Sequence, residues 1–241
     1  KMAEMYSVMA QSNDVVAQGT VSMGYSTILE DGGIYVPAEG DIQGEPPAQY
    51  RVVDKVSVTP SSGNYVEYSN ETITVHGNVT FTSAVSSPIC VKSGTLIITG
   101  DEGSSLTLNG SGGSPVQIGS SGTSANFVLA GGVDFTAAHE NGVPVITSYS
   151  GNNFETAENY SGDISLSSQL MAVSGGNVNL KTSGSISLST TDSTTSTSSI
   201  VSAEKLSLEG SSVVIDAPKA SPMISVGGNV SITTTDGNLA I

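Results

Sequence analysis

The sequence predicts an all-β protein wound as a parallel β-helix, and three observations predict it. After residue 64 the chain falls into strands of four to six residues in which apolar and polar positions alternate, with Gly, Asn or Ser punctuation every eight to ten residues. An apolar restart recurs at Ile89, Val116, Val145, Met171, Val201 and Ile224, at spacings of 23 to 30 residues. The composition is 12% charged and 5% aromatic, with 28 Gly and no Trp, so Ser, Thr and Asn supply the polar surface.

The physical link between repeat and fold is closure. One coil cannot bury its own apolar faces, and its backbone edges stay unpaired until a neighbour stacks on either side. Three short strands per period, stacked in parallel about 4.8 Å apart, place about six to seven coils in residues 65–241, roughly 30 Å of solenoid. The expected inward pairs are Ile73/Val75, Val79/Phe81, Ile89/Val91, Leu96/Ile98, Leu106/Leu108, Val116/Ile118, Ile186/Leu188, Leu206/Leu208 and Val230/Ile232. Glycine pairs at 112–113, 131–132, 175–176 and 227–228 fall at the expected corners. The alternative is an antiparallel β-sandwich, but most turns lack the two-residue hairpin signature that antiparallel pairing prefers.

Residues 1–64 read as an N-terminal cap or linker. Met2, Met5, Tyr6 and Met9 fall on one stripe at helical spacing, which predicts a short helix within Lys1 to Gln18. Short β pieces follow at Thr20 to Ser26 and Ile34 to Val36, and Glu45-Pro46-Pro47 interrupts any ladder. Tyr50 to Val58 reads as a strand ended by Thr59-Pro60-Ser61-Ser62-Gly63-Asn64. Further on, Ser189 to Ser199 is a Ser/Thr-rich stretch that reads as a loop.

Bulk charge narrows the partners. Seven basic against 22 acidic residues give a net charge of −15, which repels nucleic-acid phosphates and anionic lipid. No run reaches the roughly 18 apolar residues of a membrane span. The single cysteine, Cys90, excludes an intrachain disulfide framework and a cysteine-based zinc cage. A start at Lys1 reads as a processed or trimmed piece, and the strand-like finish at Asn238-Leu239-Ala240-Ile241 leads to the expectation that the native polypeptide continues.

The unit Ser87-Pro88-Ile89-Cys90-Val91-Lys92-Ser93-Gly94-Thr95-Leu96-Ile97-Ile98, with its copies, resembles the secreted and surface-displayed right-handed parallel β-helix proteins of bacteria, the pectin-lyase-like group. The resemblance covers residues 65–241. It implies a right-handed solenoid at an extracellular or cell-wall location; members of the group include polysaccharide lyases, sugar-binding modules and adhesin stalks. The same architecture hosts enzymes and inert spacers, so activity must be argued from a site.

A lyase of this kind needs Ca²⁺-binding carboxylates beside a basic residue, yet the only arginine, Arg51, precedes the repeats and the lysines are scattered. The adjacent acids Glu30-Asp31 and Asp101-Glu102 read as turn residues. His76 and His139 stand 63 residues apart, outside any metal spacing, and read as corner or surface residues. One stretch departs from the repeat: residues 148–163 gather Tyr149, Phe154 and Tyr160 with Glu155, Glu158 and Asp163 in what reads as a long loop replacing a regular strand. Aromatic faces stack on sugar rings and clustered carboxylates hold Ca²⁺, so the three aromatics are the candidate glycan contacts and the three acids the candidate Ca²⁺ ligands. The functional expectation is a non-catalytic, adhesin-like or structural surface segment of a larger bacterial protein, with a carbohydrate-binding module or a polysaccharide lyase as alternatives. The partner to expect is a polysaccharide or cell-surface glycan.

Overall fold

The computed structural model describes the backbone of the strands Val15–Gln18, Gly33–Tyr35, Tyr50–Val53 and Tyr65–Ser69, and residues 71–83, 87–91, 93–191, 199–218 and 224–241. From residue 71 the chain winds as a parallel β-solenoid of about six turns. Each coil contributes one strand to each of three walls.

The first wall stacks Thr72–His76, Gly94–Gly100, Ala125–Leu129, Asn153–Thr156, Asn177–Lys181 and the first half of Lys205–Asp216. The second stacks Asn78–Ser83, Ser105–Gly110, Asp134–His139, Ile164–Ser168, Ser185–Thr190 and the second half of Lys205–Asp216. The third stacks Ile89–Val91, Val116–Ile118, Ile146–Ser148, Val173–Ser174, Val201–Ala203 and Ile224–Val226. Every pairing between these successive coils is parallel, which removes the antiparallel sandwich.

Register explains why the alternation in sequence becomes a core. Leu96, Phe127, Phe154, Val178 and Leu206 are Cα partners in turn along the first wall. Leu106, Phe135, Ile164, Ile186 and Val213 do the same along the second, and Ile89, Val116, Ile146, Val173 and Val201 along the third. All of these side chains are buried. A one-residue slip in any strand would turn its whole apolar set outward, so burial holds the register. Phe127 sits 5.7 Å from both Phe135 and Phe154, centroid to centroid, so three phenyl rings from two walls meet at the middle of the tube. Of the expected inward residues, Phe81 has a side chain outside the described set.

The corners are set by backbone chemistry. Gly175 and Gly176 both take positive φ, 85° and 65°, where the third wall turns into the first. At Gly162 a Cβ would lie 2.0 Å from the carbonyl oxygen of Val133, so the closeness of two coils excludes any side chain there.

The two ends differ. At the N-terminal end Tyr65–Ser69 pairs antiparallel with Thr72–His76, Val15–Gln18 pairs antiparallel with Tyr65–Ser69, and Tyr50–Val53 pairs antiparallel with Ile89–Val91. The segment Val15–Gln18 is therefore a strand and not the end of a helix. Val15 and Val16 are β-branched and find an open sheet edge, which outweighs a helical stripe carried by residues further upstream. Residues 1–14, with the remainder of that expected helix, and the expected β piece at 20–26 lie outside the described residues, as do 192–198 of the Ser/Thr-rich stretch. At the other end, Val230 and Leu239 occupy ladder positions above Leu206 and Val213 but are each 49% exposed, because no coil covers them in the structure. Val230 and Ile232 are thus rungs with only one neighbouring layer.

Candidate functional site

The stretch 148–163 is not one loop. Asn153–Thr156 is a regular strand of the first wall, in register with Ala125–Leu129 before it and Asn177–Lys181 after it. Asn153 and Glu155 alternate with Phe154, and Thr156, in register with the rung Leu129, is polar, so the strand has a single apolar signal. Turns flank it at 149–152 and 157–163.

That correction separates the three aromatics. Phe154 is fully buried in the phenyl cluster. Tyr160 is 2% exposed, its hydroxyl donating to the Val133 carbonyl at 2.7 Å, and burial with the nearby Asp134 and Asp163 carboxylates pushes the phenol pKa up. Neither ring can stack on a ligand. Tyr149 is 43% exposed and stands on the surface. The acids are also apart: Glu155 lies on the outer side of the first wall, Glu158 is exposed in the following turn, and the Asp163 carboxylate caps Ser185 through its N–H (2.7 Å) and hydroxyl (2.9 Å). Among the described residues no three His, Cys, Asp or Glu side chains gather as a metal site, so the Ca²⁺ set of Glu155, Glu158 and Asp163 is not assembled.

What the coil register does assemble is a groove on the outside of the third wall. Gln117, Thr147 and Ser174 are the central or outward residues of successive strands and are Cα partners in turn. Together with Ser87, Ser114, Tyr149 and neighbouring backbone they line an open groove of about 520 Å³. The Ser114 and Thr147 hydroxyls bond to each other, bridging two coils. Ser87, although only 7% exposed, has no hydrogen-bond partner among the described residues, and the same holds for the side chains of Gln117, Tyr149 and Ser174. No charged side chain lines the groove.

The position of Tyr149 is held from below. Its N–H donates to the Ile118 carbonyl at 2.9 Å, extending the third-wall ladder by one residue. Its carbonyl accepts from the Asn152 N–H (3.1 Å) and the Asn152 amide (3.2 Å), while the fully buried Asn152 Oδ1 accepts from the Ala125 N–H at 2.6 Å. Gly119 makes room: a Cβ there would meet the Asn152 side-chain nitrogen at 2.1 Å. On the outer side the Glu204 carboxylate accepts from the Ser150 hydroxyl and from the Gly151 N–H (3.0 Å). These two bonds, the Ser150 hydroxyl first, hold the Glu204 carboxyl below the usual carboxylate range.

His139 is a corner residue but not a surface one. It is 4% exposed, its Nδ1 accepts from the Asn141 N–H at 3.0 Å, and its buried Nε2 has no partner among the described residues. It fills the space left by Gly110, its Cα partner on the previous coil.

Sequence reasoning picked out Tyr149 but missed Ser87, Gln117, Thr147 and Ser174. The signal that finds Gln117 and Thr147 is the polar residue following a third-wall rung, taken at the coil spacing. Chemically, the arrangement offers hydroxyls, one amide and one aromatic ring without charge, a set suited to holding an uncharged polar ligand. Set against known proteins, the chain matches no family model, no curated protein and no solved structure.

Proposed function

We propose that the chain is a non-catalytic segment of a larger bacterial protein, extracellular or displayed on the cell surface, in which a right-handed, pectin-lyase-like solenoid serves as an adhesin-like or structural spacer. The observation that supports this reading is the unbroken register of the walls. The third wall pairs from Ile89 to Val226 through every coil, so its backbone hydrogen bonds run along the long axis of the tube, the direction in which a spacer bears load.

The test is location and inertness. Antibodies raised against residues 65–241 are expected to label intact cells producing the native protein, without permeabilisation. Labelling confined to permeabilised cells overturns the surface role. The purified chain is expected to release no unsaturated uronate from pectin-type substrates with Ca²⁺ present, and release that scales with protein concentration overturns the non-catalytic reading.

A further inference from the structure

We propose that the groove on the third wall is a binding site for a neutral oligosaccharide, with Tyr149 as the stacking platform and Gln117, Ser174 and Ser87 as hydrogen-bonding groups. The inference goes beyond the spacer role and stands whether or not that role holds. It starts from polar capacity left unused. Ser87 is 7% exposed as a residue, but its hydroxyl is open to the groove rather than sealed in the core, so it is free to meet a partner from solvent. Here the hydroxyl lines the groove and has none among the described residues, and the Gln117 amide and Ser174 hydroxyl beside it are likewise unspent.

The mixture of groups points to the ligand class. Hydroxyls donate and accept, and an amide presents one acceptor and two donor hydrogens, which matches the alternating capacity of sugar hydroxyls. The Tyr149 ring, exposed at the groove, offers an apolar face to the C–H face of a pyranose and a phenolic hydroxyl at its tip. The volume lies within the range of about 300–1,000 Å³ common for small-molecule sites. Three successive third-wall strands, at about 4.8 Å each, give the lining a length of roughly 10 Å along the tube, longer than a single sugar ring.

Charge decides between neutral and acidic glycans. The lining carries no cation to meet a carboxylate or sulfate, and the chain's charge of −15 repels polyanions. The ligand is therefore an uncharged, hydroxyl-rich chain lying along the solenoid axis. Glu204 acts as a positioning residue, fixing the Ser150–Gly151 turn that follows Tyr149.

The experiment titrates the full chain by calorimetry with neutral hexasaccharides (β-1,4-glucan, α-1,4-glucan, β-1,4-mannan and N-acetylglucosamine oligomers), with oligogalacturonate as the anionic control. Saturable binding to at least one neutral hexamer and none to oligogalacturonate is expected. Tyr149→Ala and Gln117→Ala should each weaken that binding roughly tenfold, as truncation of an anchoring contact does. Tyr149→Phe should keep most of it, and Asn179→Ala, on the exposed first wall, should change nothing. Circular dichroism melts of all variants should coincide within a few degrees. No binding to any neutral hexamer, preference for oligogalacturonate, or binding undiminished by Tyr149→Ala each overturns the proposal.

Discussion

The first and third walls present similar polar residues to solvent and use them in opposite ways. On the first wall the Asn153 amide donates to Asn126 at 2.7 Å, the Asn177 amide donates to Asn153 at 3.1 Å, and the Asn126 amide reaches Thr95 at 3.2 Å. Identical amides in register satisfy one another, as they do in stacked parallel sheets generally. On the third wall Gln117, Thr147 and Ser174 share the same kind of register but differ in length, so no ladder closes and polar groups stay open beside Tyr149. Repetition of one residue type makes a wall self-sufficient; variation at the same offset makes it receptive.

The largest test of this contrast lies beneath both walls. Phe154→Ala removes a phenyl ring from the cluster with Phe127 and Phe135 and is expected to cost about 3–5 kcal/mol in urea denaturation. Tyr149→Ala, five residues earlier, should change stability by less than about 0.5 kcal/mol. Equal losses at the two positions would mean that the inward and outward assignments are wrong.

A smaller effect is expected within the ladder. Asn153→Ala breaks two amide bonds on a partly buried surface and should destabilise by about 1–2 kcal/mol, leaving saccharide binding unchanged. If Asn153→Ala weakened sugar binding as strongly as Gln117→Ala, the two walls would not be functionally distinct.

The smallest effect is a titration. Because the Glu204 carboxyl is held below its ordinary range in the folded chain, its contribution is present above the ordinary carboxylate range and is lost as pH falls through the lowered folded value. The Gly151 amide resonance should therefore titrate with a midpoint below that of a free glutamate, and Glu204→Gln should abolish the transition. A Gly151 midpoint at or above the free-glutamate value would show that the turn is not held by this carboxylate.

The coil-building rule was legible because burial demands it: Leu96/Ile98, Leu106/Leu108 and Ile186/Leu188 stand two residues apart with polar neighbours, and every such pair is buried. Asn153–Thr156 was hidden because a strand with one rung and three polar residues has no alternation to read. Tyr149, Phe154 and Tyr160 are three large aromatics within twelve residues, and local sequence cannot tell which ring fills a gap in the core.

By itself the sequence pointed to the parallel β-solenoid and to the inward pairs of its first two walls, because apolar alternation and coil spacing can be read locally. On the third wall, by contrast, the rungs are Ile146 and Val173, one and two residues past the expected Val145 and Met171. Tertiary structure alone decided which aromatic faces solvent, that the three acids of 148–163 stay apart, and that Ser87, Gln117, Thr147 and Ser174 share one groove. Those residues lie a coil apart along the chain, and only the register of stacked coils makes them neighbours.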